Sequence, residues 1–247
     1  MNKVLAAPLL ALLSTSALAA PADVRSAIAA SDRAKENVAL DELRKPAELL
    51  AFLGLEKGDR VLDYFTGAGY YAEIMAKGVG PKGLVVGWNS SAFQDRVKDK
   101  LGQLHARNPN TLFYATPNTA IAFPEASFDF AMLHLVYHDA YWESAEFKLP
   151  RIEPATVVQA LWRSVKPGGI VAVIDHVATP GGDTRAVVDK LHRIDPAVVR
   201  ADFERAGFVL EAESQLLRVP EDDHSKNVFD PSIRGRTDRF VYRFRRP

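Results

Sequence analysis

The stretch from Arg60 to Ala76, RVLDYFTGAGYYAEIMA, constrains the fold more than any other part of the chain. It reads as a buried strand, a tight glycine turn and the start of a helix. Val61 and Leu62 begin a short apolar run that ends at Asp63. Gly67 and Gly69 follow at a D-x-x-x-G-x-G spacing, and Tyr70 to Ala76 has a helical pattern. Glycines at such a turn let the backbone bend sharply and approach a ligand with no Cβ in the way. The free N–H groups at the helix start point into the same space. A ligand with a polar or anionic end is therefore expected above this turn. Taken alone, the motif is also satisfied by a plain strand–loop–helix connection, so the placement of the other elements decides.

Short apolar strands alternate with helices downstream. Leu84 to Trp88 reads as a second strand ending at Asn89, Gln94 to Ala106 as a polar helix, and Thr111 to Ala115 as a third strand. Phe128 to Leu135 is a fourth strand, followed by Tyr137-His138-Asp139. Ala155 to Val165 is a helix ended by Lys166-Pro167-Gly168-Gly169, and Ile170 to Ile174 is a fifth strand running into Asp175-His176. This alternation predicts an α/β fold, a Rossmann-like doubly wound sheet that is mostly parallel. Right-handed crossovers bring the strand ends to one edge, where ligands bind. Asp63, Asn89, His138 and His176 are then neighbours in space. Pro196 to Ala206 reads as a further helix. Phe208 to Leu217 and Phe240 to Phe244 are strands with no helix between them, which predicts an antiparallel C-terminal pair.

Ahead of the glycine turn, Asp23 to Asp32 reads as one helix, and Pro46 suits the first turn of another. Asn37, Asp41, Arg44 and Lys45 are read as a solvated helix face in preference to a lid over the pocket. Residues 1–19 have the layout of a secretory signal peptide: Lys3, an apolar run from Val4 to Leu13, and Ala17-Leu18-Ala19 as cleavage site. The expectation is a periplasmic or secreted protein with no stable membrane insertion after cleavage. Acids and bases balance at 31 each, which gives no electrostatic case for a nucleic-acid partner. The chain has no Cys, so disulfides, thiolate catalysis and Cys-ligated zinc are excluded.

From about Lys45 onward the chain resembles class I S-adenosylmethionine-dependent methyltransferases. The resemblance rests on VLDYFTGAG, GLVVGWN, FPEASFDFAML, VKPGGIVAVID and the final strand pair. With LRKPAE, YHD, LHRID and FDPSIRGRTDRF added, it is similar to a group of bacterial methyltransferases, many of which carry signal peptides. The resemblance implies three regions: a leader at 1–19, an N-terminal helical segment at 20–56 packing on the core, and a methyltransferase-like α/β domain at 57–247. It implies S-adenosylmethionine as cofactor and a small-molecule acceptor. By position, Asp63, Gly67 and Gly69 form the nucleotide loop, Asn89 stands where the family has an acid for the ribose, Asn118 lies on the adenine side, and His134 begins the segment beneath the methionine moiety. Two departures stand out: Asn89 lacks the carboxylate's charge, and Phe65 replaces the first glycine of the loop. A nicotinamide site is disfavoured, because only the looser G-x-G-x-x-A survives.

Methyl transfer needs an acceptor lone pair in line with the S–CH₃ bond and, for an acidic acceptor, a base. His138 and His176, at successive strand ends, are the candidates, with Asp139 or Asp175 to orient them. Each imidazole titrates near neutral pH, although a lone loop histidine is more often structural. In LHRID, Asp195 is read as the helix N-cap and His192 is left open. Tyr64, Tyr70, Tyr71 and Tyr137 are candidate pocket walls. A metal site from His138, Asp139, Asp175 and His176 has no H-x-x-x-H spacing behind it, and none is expected. The rival reading is an exported ligand-binding protein that uses this scaffold without turnover.

Overall fold

The computed structural model describes residues 19–247. The expected leader lies, but for Ala19, outside the described residues. Strands β1 (Arg60–Tyr64), β2 (Leu84–Ser90), β3 (Thr111–Thr116), β4 (Phe128–His134), β5 (Val165–His176), β6 (Val209–Ser214) and β7 (Arg239–Arg245) form one sheet. Their order is β3-β2-β1-β4-β5-β7-β6. The first five run parallel, and β7 lies antiparallel between β5 and β6. The sheet is the predicted one, mostly parallel with an antiparallel C-terminal pair.

Alternation along each strand divides the core between the two faces. Leu62, Trp88, Leu133 and Val173 face one way and join Phe203 and Phe244. Val61, Val85, Met132 and Ile174 face the other and join Leu49, Leu50, Leu53 and Ile74. The helices on these faces are α1 (Val24–Ala29), α2 (Lys35–Val38), α3 (Asp41–Arg44), α4 (Pro46–Leu53), α5 (Tyr70–Val79), α6 (Ser91–Gln94), α7 (Lys98–Arg107), α8 (Pro154–Ser164), α9 (Thr184–Leu191) and α10 (Pro196–Arg205). Pro46 sits at the start of α4, and Gly54, with φ +79°, ends it. The helix read over Gln94 to Ala106 is broken: α6 and α7 are separated by a turn. Lys166 to Gly169, read as a turn before β5, lies inside a strand that starts at Val165. The extra residues there are absorbed as a bulge, with the β4 register jumping from Phe128↔Val165 to Phe130↔Ile170.

Chain order reverses on either side of β1, so the crevice between the C-terminal ends of β1 and β4 is the topological switch point. Asp63 closes on it from β1 and His134 from β4. Among the described residues no helix is long and apolar enough to cross a membrane.

Candidate functional site

Two chambers open at that crevice. One, of about 430 Å³, lies over the glycine turn and is lined by Asp63, Thr66, Gly67, Tyr70, Tyr71 and His134, with Asn37 and Arg44 above them. The other, of about 450 Å³, is walled by Phe93, Trp142, Phe147 and Phe229 and floored by His138, His176 and His192. Phe65, Phe93, Leu135, Asp139 and Phe229 belong to both.

The glycine turn separates two roles that the sequence motif runs together. Gly67 has φ +59°, and a Cβ built on it meets nothing within 4 Å. Its outer face is open space. Gly69 has φ +87°, and a Cβ there lies 2.4 Å from Leu104 Cδ1. Gly69 is small because α7 packs against it. Asp63 is buried, accepts a 2.6 Å hydrogen bond from Thr66 Oγ1, and is pushed up by burial to about 7.

The N-terminal segment caps the first chamber: Asn37, Asp41 and Arg44 turn inward, contrary to their reading as a solvated face, while Lys45 is exposed as read. Buried Glu73 of α5 accepts hydrogen bonds from Ala34 N (3.2 Å), Asn37 Nδ2 (2.8 Å) and Arg107 Nη2 (3.1 Å). Asp41 accepts two from Arg33 (2.6 and 2.9 Å) and one from Tyr70 Oη (2.7 Å). So latched, the cap holds the Arg44 guanidinium 4.3 Å from the centre of the Tyr70 ring. Arg44 makes no ion pair among the described residues, and burial lowers its pKa against the pull of Tyr71, Tyr70, Asp63 and Asp41. A partly buried cation of this kind calls for an anion.

Asn89 lies one residue before the end of β2, but it is fully buried and its amide is engaged. Its Oδ1 accepts from Gly67 N (2.9 Å), and its Nδ2 donates to Gly67 O (3.1 Å) and Gln94 Oε1 (3.2 Å). Asn89 thus braces the turn, and a ribose hydroxyl must displace Gln94 or use the remaining lone pair. Asn118 donates to Pro150 O (3.1 Å) and lines a separate recess with Ser90 and Arg96. Phe65 holds φ +54°, with its ring 6.0 Å from Trp88 and 5.4 Å from Phe93. Tyr70 and Tyr71 wall the chamber as expected. Tyr64 and Tyr137 do not: Tyr64 stacks on Trp88 at 4.9 Å, and Tyr137 donates to Asp202 (2.7 Å) in the core.

In the second chamber Asp175, fully buried, accepts from His138 N (2.9 Å) and bonds His138 Nδ1 (2.8 Å). Of the two acids proposed to orient His138, Asp175 does so. The Nε2 face of His138 then meets Asp139 Oδ1 at 3.4 Å. Burial pulls the His138 pKa down, but the charges of Asp175 and Asp139 outweigh it and lift it to about 9. Burial, offset in part by His138, raises Asp139 to about 6. His176 bonds Thr237 Oγ1 through Nδ1 (2.7 Å), and burial followed by the His138 charge lowers its pKa well below the ordinary value. His192, left open above, completes the group: its ring lies 5.6 Å from that of His138, and burial and His138 lower it to about 4. Asp195 caps α10 through Ala197 N (2.8 Å), as read. Arg193 is structural, buried against Asp222 at 2.9 Å. Phe65, Leu135 and His192, all non-glycine residues with positive φ (54°, 60° and 50°), line this chamber. Left-handed backbone costs such residues about 1–2 kcal/mol each, and strain of this kind gathers at functional sites.

The strand order, the switch-point crevice and the glycine turn together make the fold that of class I methyltransferases. The family model described as protein-L-isoaspartate(D-aspartate) O-methyltransferase matches residues 31–115, from the cap through β3. Among solved structures, a SAM-dependent methyltransferase from Aquifex aeolicus matches with a TM-score of 0.57 and 21% identity, over 83% of this chain and 97% of that one. An S-adenosylmethionine-dependent methyltransferase from Mesorhizobium loti gives 0.56 and 17%, over 84% and 100%. Fibrillarin from Aeropyrum pernix, solved with natively bound S-adenosyl-L-methionine, gives 0.52 and 15%, over 83% and 76%. No curated protein matches the chain.

S-adenosylmethionine is the cofactor of that fold, and the first chamber suits its methionine half. Gly67 leaves a cradle that a Cβ would enter. Arg44 offers a cation for the carboxylate. His134 Nε2 is buried with no hydrogen-bond partner among the described residues. The ribose end departs from the usual arrangement through Asn89 and Phe65, as described.

Proposed function

We propose that the chain transfers a methyl group from S-adenosylmethionine to a small, largely apolar acceptor seated in the aromatic-walled chamber. When bound, the cofactor supplies an electrophilic methyl on a sulfonium. Arg44 would pair with its carboxylate, the Gly67 turn would receive its methionine chain, and His134 and Tyr71 would close the floor. Asp139 and Leu135, common to both chambers, would flank the sulfonium methyl and the acceptor. Phe93, Trp142, Phe147 and Phe229 exclude water and bind the apolar body of the acceptor. His138, fixed by Asp175, faces the acceptor's reacting atom, with His176 and Asp139 beside it.

The observation that carries this reading is the junction itself: a cofactor-sized hollow meets an acceptor-sized one at Phe65, Phe93, Leu135, Asp139 and Phe229. We further place the protein outside the cytoplasm, on the strength of residues 1–19. Tritium-labelled cofactor offered with a panel of apolar alcohols, phenols and amines tests the chemistry. Transfer is expected, and His138→Ala lowers it by about 10²–10⁴-fold while cofactor affinity stays nearly unchanged. Transfer that survives His138→Ala removes His138 from the mechanism. Cofactor binding without transfer to any acceptor favours the scaffold reading.

A further inference from the structure

The floor of the second chamber holds more ligating atoms than proton transfer requires. His138, Asp139 and His192 each present one donor atom, and these atoms lie within 4.8 Å of one another. His138 Nε2 is 3.4 Å from Asp139 Oδ1, and His192 Nδ1 is 3.9 Å from the same oxygen. Ligands bound tetrahedrally at about 2.1 Å stand about 3.4 Å apart. One pair already has that separation, and the others need small side-chain movements. His138 and Asp139 come from the segment after β4, and His192 from the end of α9. The fold therefore brings together a ligand pair and a third ligand some fifty residues away, which is why no short spacing announces them.

The surroundings are those of a metal site. Metal-ligating histidines almost always give their second ring nitrogen to a carboxylate or carbonyl, which fixes the tautomer and orientation. His138 does so: Nδ1 bonds the buried Asp175 carboxylate at 2.8 Å, and this aims Nε2 at the cluster. His192 is held by rings on three sides, with Trp142 at 4.8 Å, Phe229 at 5.1 Å and His138 at 5.6 Å. Its backbone takes the left-handed conformation at φ +50° to end α9 and direct the ring inward. His176 stands just outside the cluster, with its ring 5.9 Å from that of His138.

We propose that His138, Asp139 and His192 bind one divalent first-row transition ion. Two imidazoles and one carboxylate are the donor set of open zinc and non-haem iron(II) sites. Thiolate-requiring ions are disfavoured, since the chain has no Cys. The remaining coordination positions face the aromatic-walled chamber, where an oxygen or nitrogen of the acceptor completes the sphere. The ion deepens the methyl-transfer reading: with it bound, His138 Nε2 serves as a ligand in place of a base, and the acceptor must carry a ligating atom whose proton the ion makes more acidic. Its binding is independent of that reading.

The test uses untagged protein, stripped with a chelator and dialysed, then titrated with Zn(II) and with Co(II) in the absence of cofactor and acceptor. Calorimetry and metal analysis should give one ion per chain. His192→Asn keeps a residue that tolerates left-handed backbone and should abolish stoichiometric binding with the circular dichroism unchanged. Asp175→Asn should weaken binding by about 10–100-fold. A stripped protein that takes up no ion, or one that binds equally well with His192→Asn, overturns the proposal. Thermal shift with S-adenosylhomocysteine, run on the same samples, reads the cofactor site separately. Metal uptake without cofactor binding sinks the methyl-transfer reading alone, and the reverse outcome sinks the metal site alone.

Discussion

Replacing each glycine of the β1–α5 turn by alanine should divide the damage, with cofactor binding hit at Gly67 and stability hit harder at Gly69. At Gly67 the added methyl enters empty space, so the stability cost is that of placing alanine at φ +59°. That cost is about 1–2 kcal/mol, or a fall in Tm of about 2–8 °C for a chain of this size. The same methyl stands where the methionine chain is expected, so cofactor affinity should fall at least about tenfold, or ~1.4 kcal/mol. At Gly69 the new Cβ lies 2.4 Å from Leu104 Cδ1 and 3.2 Å from Leu101 Cδ2. Overpacking of about 1–3 kcal/mol adds to the backbone cost there, for a total of about 2–5 kcal/mol. Melting curves with and without S-adenosylhomocysteine, with calorimetry on the folded fraction, separate the two. If Gly67→Ala binds as tightly as the parent, the space above Gly67 is not the cofactor's, and the reasoning fails.

Other changes probe the cap and the chamber beneath it. Arg44→Ala should remove one charge-assisted contact and cost about 1.5–3 kcal/mol of cofactor affinity, measured by calorimetry. Unchanged affinity would place the carboxylate elsewhere. Glu73→Gln should cost about 1–3 kcal/mol in urea unfolding, because it takes the carboxylate charge from Arg107 and leaves Arg33 with Asp41 alone. It should also expose 31–44 to limited proteolysis. Asp63 gives a pH signature. Its folded-state pKa, about 7, lies above the ordinary 3.8, so the folded chain holds the proton more tightly. That stability is fully present below 3.8 and is lost as pH rises through about 7, amounting to about 4 kcal/mol at most. Urea unfolding at pH 5 and pH 8 should show the loss in the parent and a smaller one in Asp63→Asn. Equal losses would mean that Asp63 does not carry the effect.

The parts of the fold visible in the sequence are those whose residues face one environment. Apolar runs at β1, β2, β4 and β5 mark strands buried on both faces, and Pro46, Gly54 and Asp195 mark helix ends by local chemistry. The KPGG segment misled because a bulge inside β5 and a turn before it share the same residues. The cap was misread because Asn37, Asp41 and Arg44 look like any charged helix face. The partner of Asn37, Glu73, and that of Asp41, Tyr70, sit in α5, where nothing local shows that Glu73 is buried or that the cap reaches it. His192 could not be assigned for a similar reason. It reaches the cluster only through the packing of α9 beside the segment after β4, and the one local signal, its place just before the N-cap Asp195, points to a helix start instead. The glycine motif was readable as a turn, but the division of labour between Gly67 and Gly69 depends on where α7 lies.

The central claim is that the hollow between the Gly67 turn and the N-terminal cap holds an adenosyl sulfonium. A crystal structure of the chain with S-adenosylhomocysteine tests it most directly. The account predicts the amino-acid carboxylate within hydrogen-bond distance of Arg44, the sulfur at the junction near Leu135 and Asp139, and the adenosine leading past Phe65 toward Asn118. Ligand density at another place, or a soaked crystal whose hollow stays filled only by water, would contradict it.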